Sequence, residues 1–133
     1  MVTVLFLALE GKKQVLIVDD EPDMLLLMRL LVEDAFPGLK VLTASTGHAG
    51  LDLLARNSVD VVISDYRMPR MDGLEFLAKA ASHVPDSGRI LVTAFVDDAL
   101  ADRAVEAGVD AFVPKGNGPE RLLGEIKRLL GQK

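Results

Sequence analysis

The strongest constraint in this sequence is its rhythm. Short apolar runs, mostly β-branched, alternate with longer stretches whose apolar side chains recur at helical spacing. Val15-Leu16-Ile17-Val18 is the first run, and it reads as a buried strand. Pro22 sits where the first turn of a helix tolerates proline, Met24 to Ala35 continue that helix, and Phe36-Pro37-Gly38 stops it. Val41-Leu42-Thr43-Ala44 is a second strand, after which Ser45 or Thr46 can cap a helix carrying Leu51, Leu54 and Ala55. Val59 to Ser64 form a third strand, followed by a loop from Asp65 to Gly73 and a helix from Leu74 to Ser82. Ile90 to Thr93 is the fourth strand. Asp97 begins a helix that ends at Ala107-Gly108, with glycine as the left-handed stop. Ala111-Phe112-Val113 is the fifth strand. Pro119 then opens a last helix with Leu122, Leu123, Ile126, Leu129 and Leu130 on one face.

Strands alternating with helices in this way specify an α/β fold with a parallel sheet. Continuous apolar strands are what such a sheet needs when helices cover both faces. The 133 residues suit one domain, and neither an interior linker nor a repeat interrupts them. Residues 13–133 are expected to form that domain. Residues 1–12 are expected to be an N-terminal extension, an added strand or a loose arm rather than core.

Composition removes several chemistries. The chain has no Cys, which excludes disulfides, zinc thiolates, iron–sulfur clusters and thiol catalysis. It has no Trp and one Tyr, too few for a base-stacking platform, and its net charge of −5 repels phosphate backbones. Direct nucleic-acid binding by this domain is therefore not expected. The longest apolar run, Val4 to Leu9, is far short of the roughly 20 residues of a spanning helix. It also lacks the flanks of a secretory signal. The expected location is the cytoplasm, without membrane association.

In open α/β sheets, ligands bind beyond the carboxyl ends of the strands. Asp19 and Asp20 follow the first strand, Asp65 the third, Thr93 ends the fourth, and Lys115 follows the fifth beyond Pro114. A parallel sheet brings all five to one edge. Clustered carboxylates cannot all stay ionised cheaply, so one pKa must rise or a cation must enter. An all-oxygen donor set with room for water suits Mg²⁺, or Mn²⁺. A dication between Asp20 and Asp65 leaves room for a phosphoryl oxygen, and Lys115 and the Thr93 hydroxyl can take the remaining oxygens. A carboxylate can act as nucleophile. Asp65, central and facing both the other acids and Lys115, is the candidate. Each residue alone has a plainer reading: a turn aspartate, a surface lysine, a threonine with β-propensity. Their coincidence at one sheet edge makes them a site.

Val15-Leu16-Ile17-Val18-Asp19-Asp20-Glu21-Pro22, Asp65-Tyr66-Arg67-Met68-Pro69, Met71-Asp72-Gly73, Val92-Thr93-Ala94 and Lys115 together give the chain, from about Lys13 to Leu130, a sequence that resembles the receiver domain of two-component response regulators. The resemblance implies a flavodoxin-like, doubly wound sheet of five strands in the order 2-1-3-4-5. It implies Asp65 as phosphoacceptor, Asp20 as direct Mg²⁺ ligand, Asp19 as the acid reaching the metal through water, and the backbone carbonyl of Arg67 as third protein ligand. Thr93 and Lys115 become the phosphoryl-binding groups, Ala94 the small residue beside the attacked phosphate, and Phe112 the aromatic switch. The implied partners are a sensor histidine kinase or a histidine phosphotransfer protein, and a downstream protein or effector domain. Thr93 would move toward the phosphate, Phe112 would fill the space, and the surface of the fourth helix, fifth strand and fifth helix would repack. Homodimerisation through that surface is a further expectation. Such a domain assists its own phosphorylation and dephosphorylation and is not a metabolic enzyme.

Two departures from the family pattern matter. Gly116 follows Lys115 where a proline with a cis peptide is usual. Either the Lys115-Gly116 bond is cis, or it is trans with the ammonium aimed differently. Phe112 stands where Tyr is common, keeping the packing but lacking a hydroxyl; a plain core aromatic is the alternative. Arg67 and Phe95, two residues past Asp65 and Thr93, flank the water route and are expected to tune phosphate lifetime. His48 and His83 read as solvated helix residues. Leu26 and Leu30 fall beside Arg29 and Glu33 on the solvent side of the first helix, which is either generously apolar or a kinase-docking patch.

Two other functions compete. A metal-dependent phosphatase or phosphotransferase could also form an aspartyl phosphate, but such enzymes often place the nucleophile after the first strand and need a cap. Here the spaced acid pair and a cap-sized insertion are missing. A flavodoxin-like cofactor binder needs a phosphate cradle after the first strand, where this chain has Asp19-Asp20-Glu21-Pro22, which repels phosphate.

Overall fold

The computed structural model describes residues 13–95, 97–116 and 118–131. The expected extension, residues 1–12, lies outside the described residues. The elements are β1 (Gln14–Val18), α1 (Pro22–Ala35), β2 (Lys40–Ala44), α2 (Gly47–Arg56), β3 (Val61–Asp65), α3 (Gly73–His83), β4 (Gly88–Thr93), α4 (Asp98–Glu106), β5 (Ala111–Pro114) and α5 (Glu120–Gly131). Every strand pairing is parallel, in the order β2-β1-β3-β4-β5. This is the expected doubly wound, flavodoxin-like sheet. Among the described residues, no helix is long and apolar enough to cross a membrane.

Strand periodicity divides the core into two layers. On β1, Val15 and Ile17 pack with Met28 and Val32 of α1 and with Leu122, Ile126 and Leu129 of α5. Leu16 and Val18 face the other way, toward Leu54 of α2, Phe76 and Leu77 of α3, and Leu100 and Ala104 of α4. Phe76 is fully buried; truncating it to alanine would cost about 3–5 kcal/mol. Because both faces are covered, polar side chains have room only where the strands end.

Local signals place the helices around that end. Thr46 Oγ1 accepts from Ala49 N at 3.0 Å, Asp72 Oδ1 from Glu75 N at 2.9 Å, and Asp97 Oδ1 from Leu100 N at 2.7 Å. Each such cap is worth about 1 kcal/mol. Thr46 and Gly108 (φ +81°) do what the sequence predicts. Asp97 is the cap and not the first helical residue. Gly73 has a packing reason: a Cβ there would collide with the carbonyl oxygen of Asp65. Only glycine lets α3 start directly beneath that residue.

One boundary shifts in a way that bears on the site. β3 runs from Val61 to Asp65 rather than from Val59 to Ser64. Asp65 pairs with Val92, and Tyr66 N donates to Val92 O at 2.9 Å, so the ladder carries the acid instead of releasing it into a loop. At the other end, Asp60 turns aside to bind β1: its N–H donates to Gln14 O at 2.8 Å and its Oδ2 accepts from Gln14 N at 2.9 Å.

Candidate functional site

The register delivers the predicted residues to one edge. Asp19 stands one residue beyond β1, Asp65 and Thr93 end β3 and β4, and Lys115 follows the last residue of β5. Lys115 N donates to Thr93 O at 2.7 Å, and Asp19 N to Ala44 O at 3.2 Å, so both are anchored through backbone to neighbouring strands. The Lys115 ammonium lies 2.9 Å from Asp65 Oδ1 and 3.7 Å from Asp19 Oδ2. Asp19, Asp65 and Thr93 are buried, whereas Asp20 is not. Carboxylate oxygens of Asp19, Asp20 and Asp65 lie within 4.8 Å of one another.

A single ammonium does not balance this cluster. Burial pushes the Asp19 carboxyl above its ordinary range, and the charges of Asp65 and Asp20 add to the rise. The Glu21 N–H, donating to Asp19 Oδ1 at 2.9 Å, and the Lys115 charge oppose it. Burial works against the Lys115 ammonium too. There the Asp65 hydrogen bond and the charges of Asp65, Asp19 and Glu21 outweigh it, and the net shift is upward. Lys115 is thus a firmly held cation, and Asp19 carries the strain of the excess negative charge. Its Oδ2 is buried with no hydrogen-bond partner among the described residues. An orphaned carboxylate oxygen facing two further carboxylates is an all-oxygen donor set short of positive charge. These residues fit a hard divalent cation such as Mg²⁺.

The two alternatives left open at Lys115-Gly116 resolve together. The bond is trans, and the ammonium is nevertheless aimed at Asp65. Gly116 takes φ +94°, a conformation glycine adopts without steric cost. Thr93 Oγ1 accepts from Phe95 N at 3.0 Å. Phe112 lies opposite Leu91 and packs, half-buried, on the layer beneath α2, α3 and α4. His48 and His83 are exposed and lie outside the acid cluster. Leu26 and Leu30 are exposed as predicted, and Leu27 with them.

Three features escaped the sequence reading. The Arg67 guanidinium carbon sits 3.7 Å from the Phe95 ring centroid. Arg103 Nη1 donates to Tyr66 Oη at 3.5 Å. An apolar groove of about 290 Å³, lined by Met24, Leu27, Leu31, Pro114, Gly116 and Leu122 among others, runs from α1 to Lys115. None of these pairs shares a periodicity or a motif. Only the apolar solvent side of α1 hinted at the groove.

Comparison with known proteins identifies the family. The family model of the response regulator receiver domain matches residues 15–127, and the chain belongs to that family. The general function of the family is phosphorylation-dependent switching, in signalling rather than metabolism; its members bind Mg²⁺ at the acidic cluster and interact with kinases and output domains. The cyclic di-GMP phosphodiesterase response regulator RpfG of Xanthomonas campestris pv. campestris is 37% identical over 119 residues, covering 87% of this chain and 31% of that protein. The chain therefore spans less than a third of this relative. The probable chemotaxis protein CheY of Rhizobium etli is 31% identical over 130 residues, covering 94% of this chain and 98% of that one. A CheY-like response regulator receiver domain protein from Methanospirillum hungatei superposes with a TM-score of 0.84 at 31% identity, covering 91% of this chain and 95% of that one.

Proposed function

We propose that this chain is a switch in which Asp65 accepts a phosphoryl group from a histidine of a sensor kinase or histidine phosphotransfer protein. The observation that carries the reading is the Lys115 ammonium 2.9 Å from Asp65 Oδ1, with the orphaned Asp19 Oδ2 nearby. A carboxylate oxygen of Asp65 attacks phosphorus, the P–N bond breaks, and the departing imidazole keeps the bonding pair and takes a proton from solvent. Lys115 offers its ammonium to the phosphoryl oxygens. The Thr93 hydroxyl already accepts from Phe95 N and has its own proton left to donate. Asp19, Asp20, Asp65 and the backbone carbonyl of Arg67 would hold Mg²⁺, or Mn²⁺. When bound, the metal supplies charge neutralisation for the transferring group.

The phosphate adds about two negative charges and strong acceptors beside Thr93. Thr93 turns toward it, Phe112 fills the vacated space, and the α4–β5–α5 surface changes. A downstream protein, an effector domain or a second copy of the chain reads that change. The two states need differ by only a few kcal/mol. A kinase domain carrying the phosphohistidine on a helix docks along α1, where Leu26, Leu27 and Leu30 are 50–52% exposed. The groove beside them continues to Lys115 and Gly116, which brings the docked histidine to Asp65. An ATP-fed kinase places this reaction in the cytoplasm. Arg67 and Phe95 set the lifetime of the phosphate, and substituting either should change the dephosphorylation rate several-fold.

Acetyl phosphate with Mg²⁺ tests the reading. Wild type should gain one stable phosphoryl group on Asp65, and Asp65→Asn none. Labelling that survives in Asp65→Asn refutes the assignment, and multiple turnover of a small phosphate ester would favour an enzyme instead.

A further inference from the structure

We infer that Tyr66, Arg67, Phe95 and Arg103 form a clasp that holds the β4–α4 segment against the β3–α3 loop while Asp65 is unphosphorylated, and that phosphorylation opens it. The inference deepens the switch reading and rests on it. Two arginine–aromatic contacts run in opposite directions between the same two segments. Arg67, in the β3–α3 loop, lays its guanidinium over Phe95 in the β4–α4 connection, 3.7 Å from the ring centroid. Arg103, on α4, donates to the Tyr66 hydroxyl of the β3–α3 loop at 3.5 Å. Each segment gives one arginine and one aromatic. Among the described residues neither arginine is in an ion pair.

Both aromatics are wired to the acceptor. Tyr66 follows Asp65 directly and is pinned on both sides: its N–H donates to Val92 O at 2.9 Å, and its carbonyl accepts from Gly73 N at 2.7 Å. Its backbone therefore moves only as Asp65 and its loop move. Phe95 is tied to the other partner, since its N–H donates to Thr93 Oγ1 at 3.0 Å. When Thr93 turns its hydroxyl toward a phosphoryl group on Asp65, the acceptor of that bond moves. Phe95 N follows the hydroxyl it is bonded to, and its ring leaves its place under Arg67. With the stack gone, Tyr66–Arg103 is the part of the clasp that remains, and a shift of α4 breaks it. Among the described residues the side-chain hydrogen bond between acceptor loop and α4 is the one from Tyr66, and Phe112 has no hydroxyl to add another.

Each contact is small, worth about a two- to five-fold shift between closed and open states at an exposed site. The test titrates the full chain, with Mg²⁺ present, with beryllofluoride as phosphoryl mimic. Tyr66→Phe and Arg103→Ala lie outside the phosphoryl-binding groups. Each should bind beryllofluoride about two- to five-fold more tightly than wild type. The double variant should gain no more than either single one, because both remove the same bond. Arg103→Lys, which keeps a donor, should fall back toward wild type. A second arm uses metal-free protein: amide exchange in α4 should speed by the same factor in Arg103→Ala. Unchanged affinity with unchanged exchange overturns the clasp, and so does weaker binding by the variants, which would assign the contacts to the active state. Wild type that fails to bind beryllofluoride refutes the switch reading instead, and the exchange arm then still decides whether the contacts hold α4.

Discussion

Asp60 and Asp110 stand where the strands of the sheet begin; Asp19 and Asp65 stand where they end. At the first edge each carboxylate is spent on backbone. Asp60 Oδ2 accepts from Gln14 N at 2.9 Å and Asp110 Oδ2 from Arg89 N at 2.8 Å. Those bonds satisfy N–H groups that precede the ladder and stitch β3 to β1 and β5 to β4. At the second edge only one oxygen is used in that way, Asp19 Oδ1 accepting from Glu21 N at 2.9 Å, and the rest is left open. Asp65 meets an ammonium, Asp19 Oδ2 meets nothing within hydrogen-bond distance, and the third acid crowds in. A carboxylate that pins an N–H adds about 1 kcal/mol of stability and is chemically finished. One left facing its own kind costs stability and remains available to a cation or a phosphorus atom. The reactive edge is the one where satisfaction is withheld.

The contrast is broken most forcefully at Lys115. Lys115→Ala should lower phosphoryl incorporation from acetyl phosphate by about 100-fold, the usual scale for losing a donor aimed at developing charge. Labelling followed by intact mass against time measures it. A loss under about three-fold would mean that the ammonium holds the resting cluster together without serving the transfer.

Asp19→Asn should act in two directions. Mg²⁺ affinity, followed by isothermal calorimetry, should fall at least about ten-fold. The metal-free fold should gain stability at pH 7. Folding raises the proton affinity of Asp19 through burial and the neighbouring carboxylates. The folded state is therefore penalised once the pH exceeds the ordinary carboxyl value of 3.8, and the penalty grows until Asp19 ionises within the fold. Below 3.8 both variants are neutral at this position, so the advantage of Asn should shrink as pH falls toward that value. Melting temperatures of metal-free protein from pH 4 to 7 test the sign. An advantage that widens with acidification would show that Asp19 is stabilised as the anion.

Asp60→Ala should do the reverse. It leaves Gln14 N without its acceptor at a partly buried position, at a cost of about 1 kcal/mol in urea unfolding. Labelling should stay within about two-fold of wild type, since the site lies at the far end of strands roughly 15 Å long. A large loss of labelling would mean that the two edges are not independent.

Much of the reactive edge was legible before the structure, and the reason is topological. Parallel strands of apolar residues must end in something polar, and the endings share one edge, so Asp19, Asp65, Thr93 and Lys115 could be gathered by counting strands. The end of β3 was not legible. Hydropathy falls off after Ile63, and only the pairing with Val92 keeps Asp65 in the ladder. Asp72 lies in the expected loop, but its role as the cap of α3 is not legible, because cap and loop residues are the same types. At Lys115 the family pattern obscured the outcome: a trans bond followed by a glycine at positive φ aims the ammonium as well. Contacts such as Arg67 with Phe95, or Tyr66 with Arg103, join segments that meet only after folding. No periodicity announces them.

The finest cut of the comparison is to make the substitution Asp→Asn at both edges. At position 60 the amide keeps a carbonyl oxygen that can still accept from Gln14 N, so what is lost is only the charge on the acceptor. That difference is a fraction of the hydrogen bond's worth, under about 1 kcal/mol, and Asp60→Asn should be less destabilised than Asp60→Ala. At position 19 the same change removes a charge that nothing in the resting protein fully compensates, and there the fold gains. Opposite signs from one substitution at two ends of the same sheet, read as urea midpoints of metal-free protein at pH 7, are what the division of labour requires. If Asn destabilised both positions alike, the buried acid at the strand ends would be a structural acceptor like its counterpart, and the excess negative charge would not be what readies this edge for a cation.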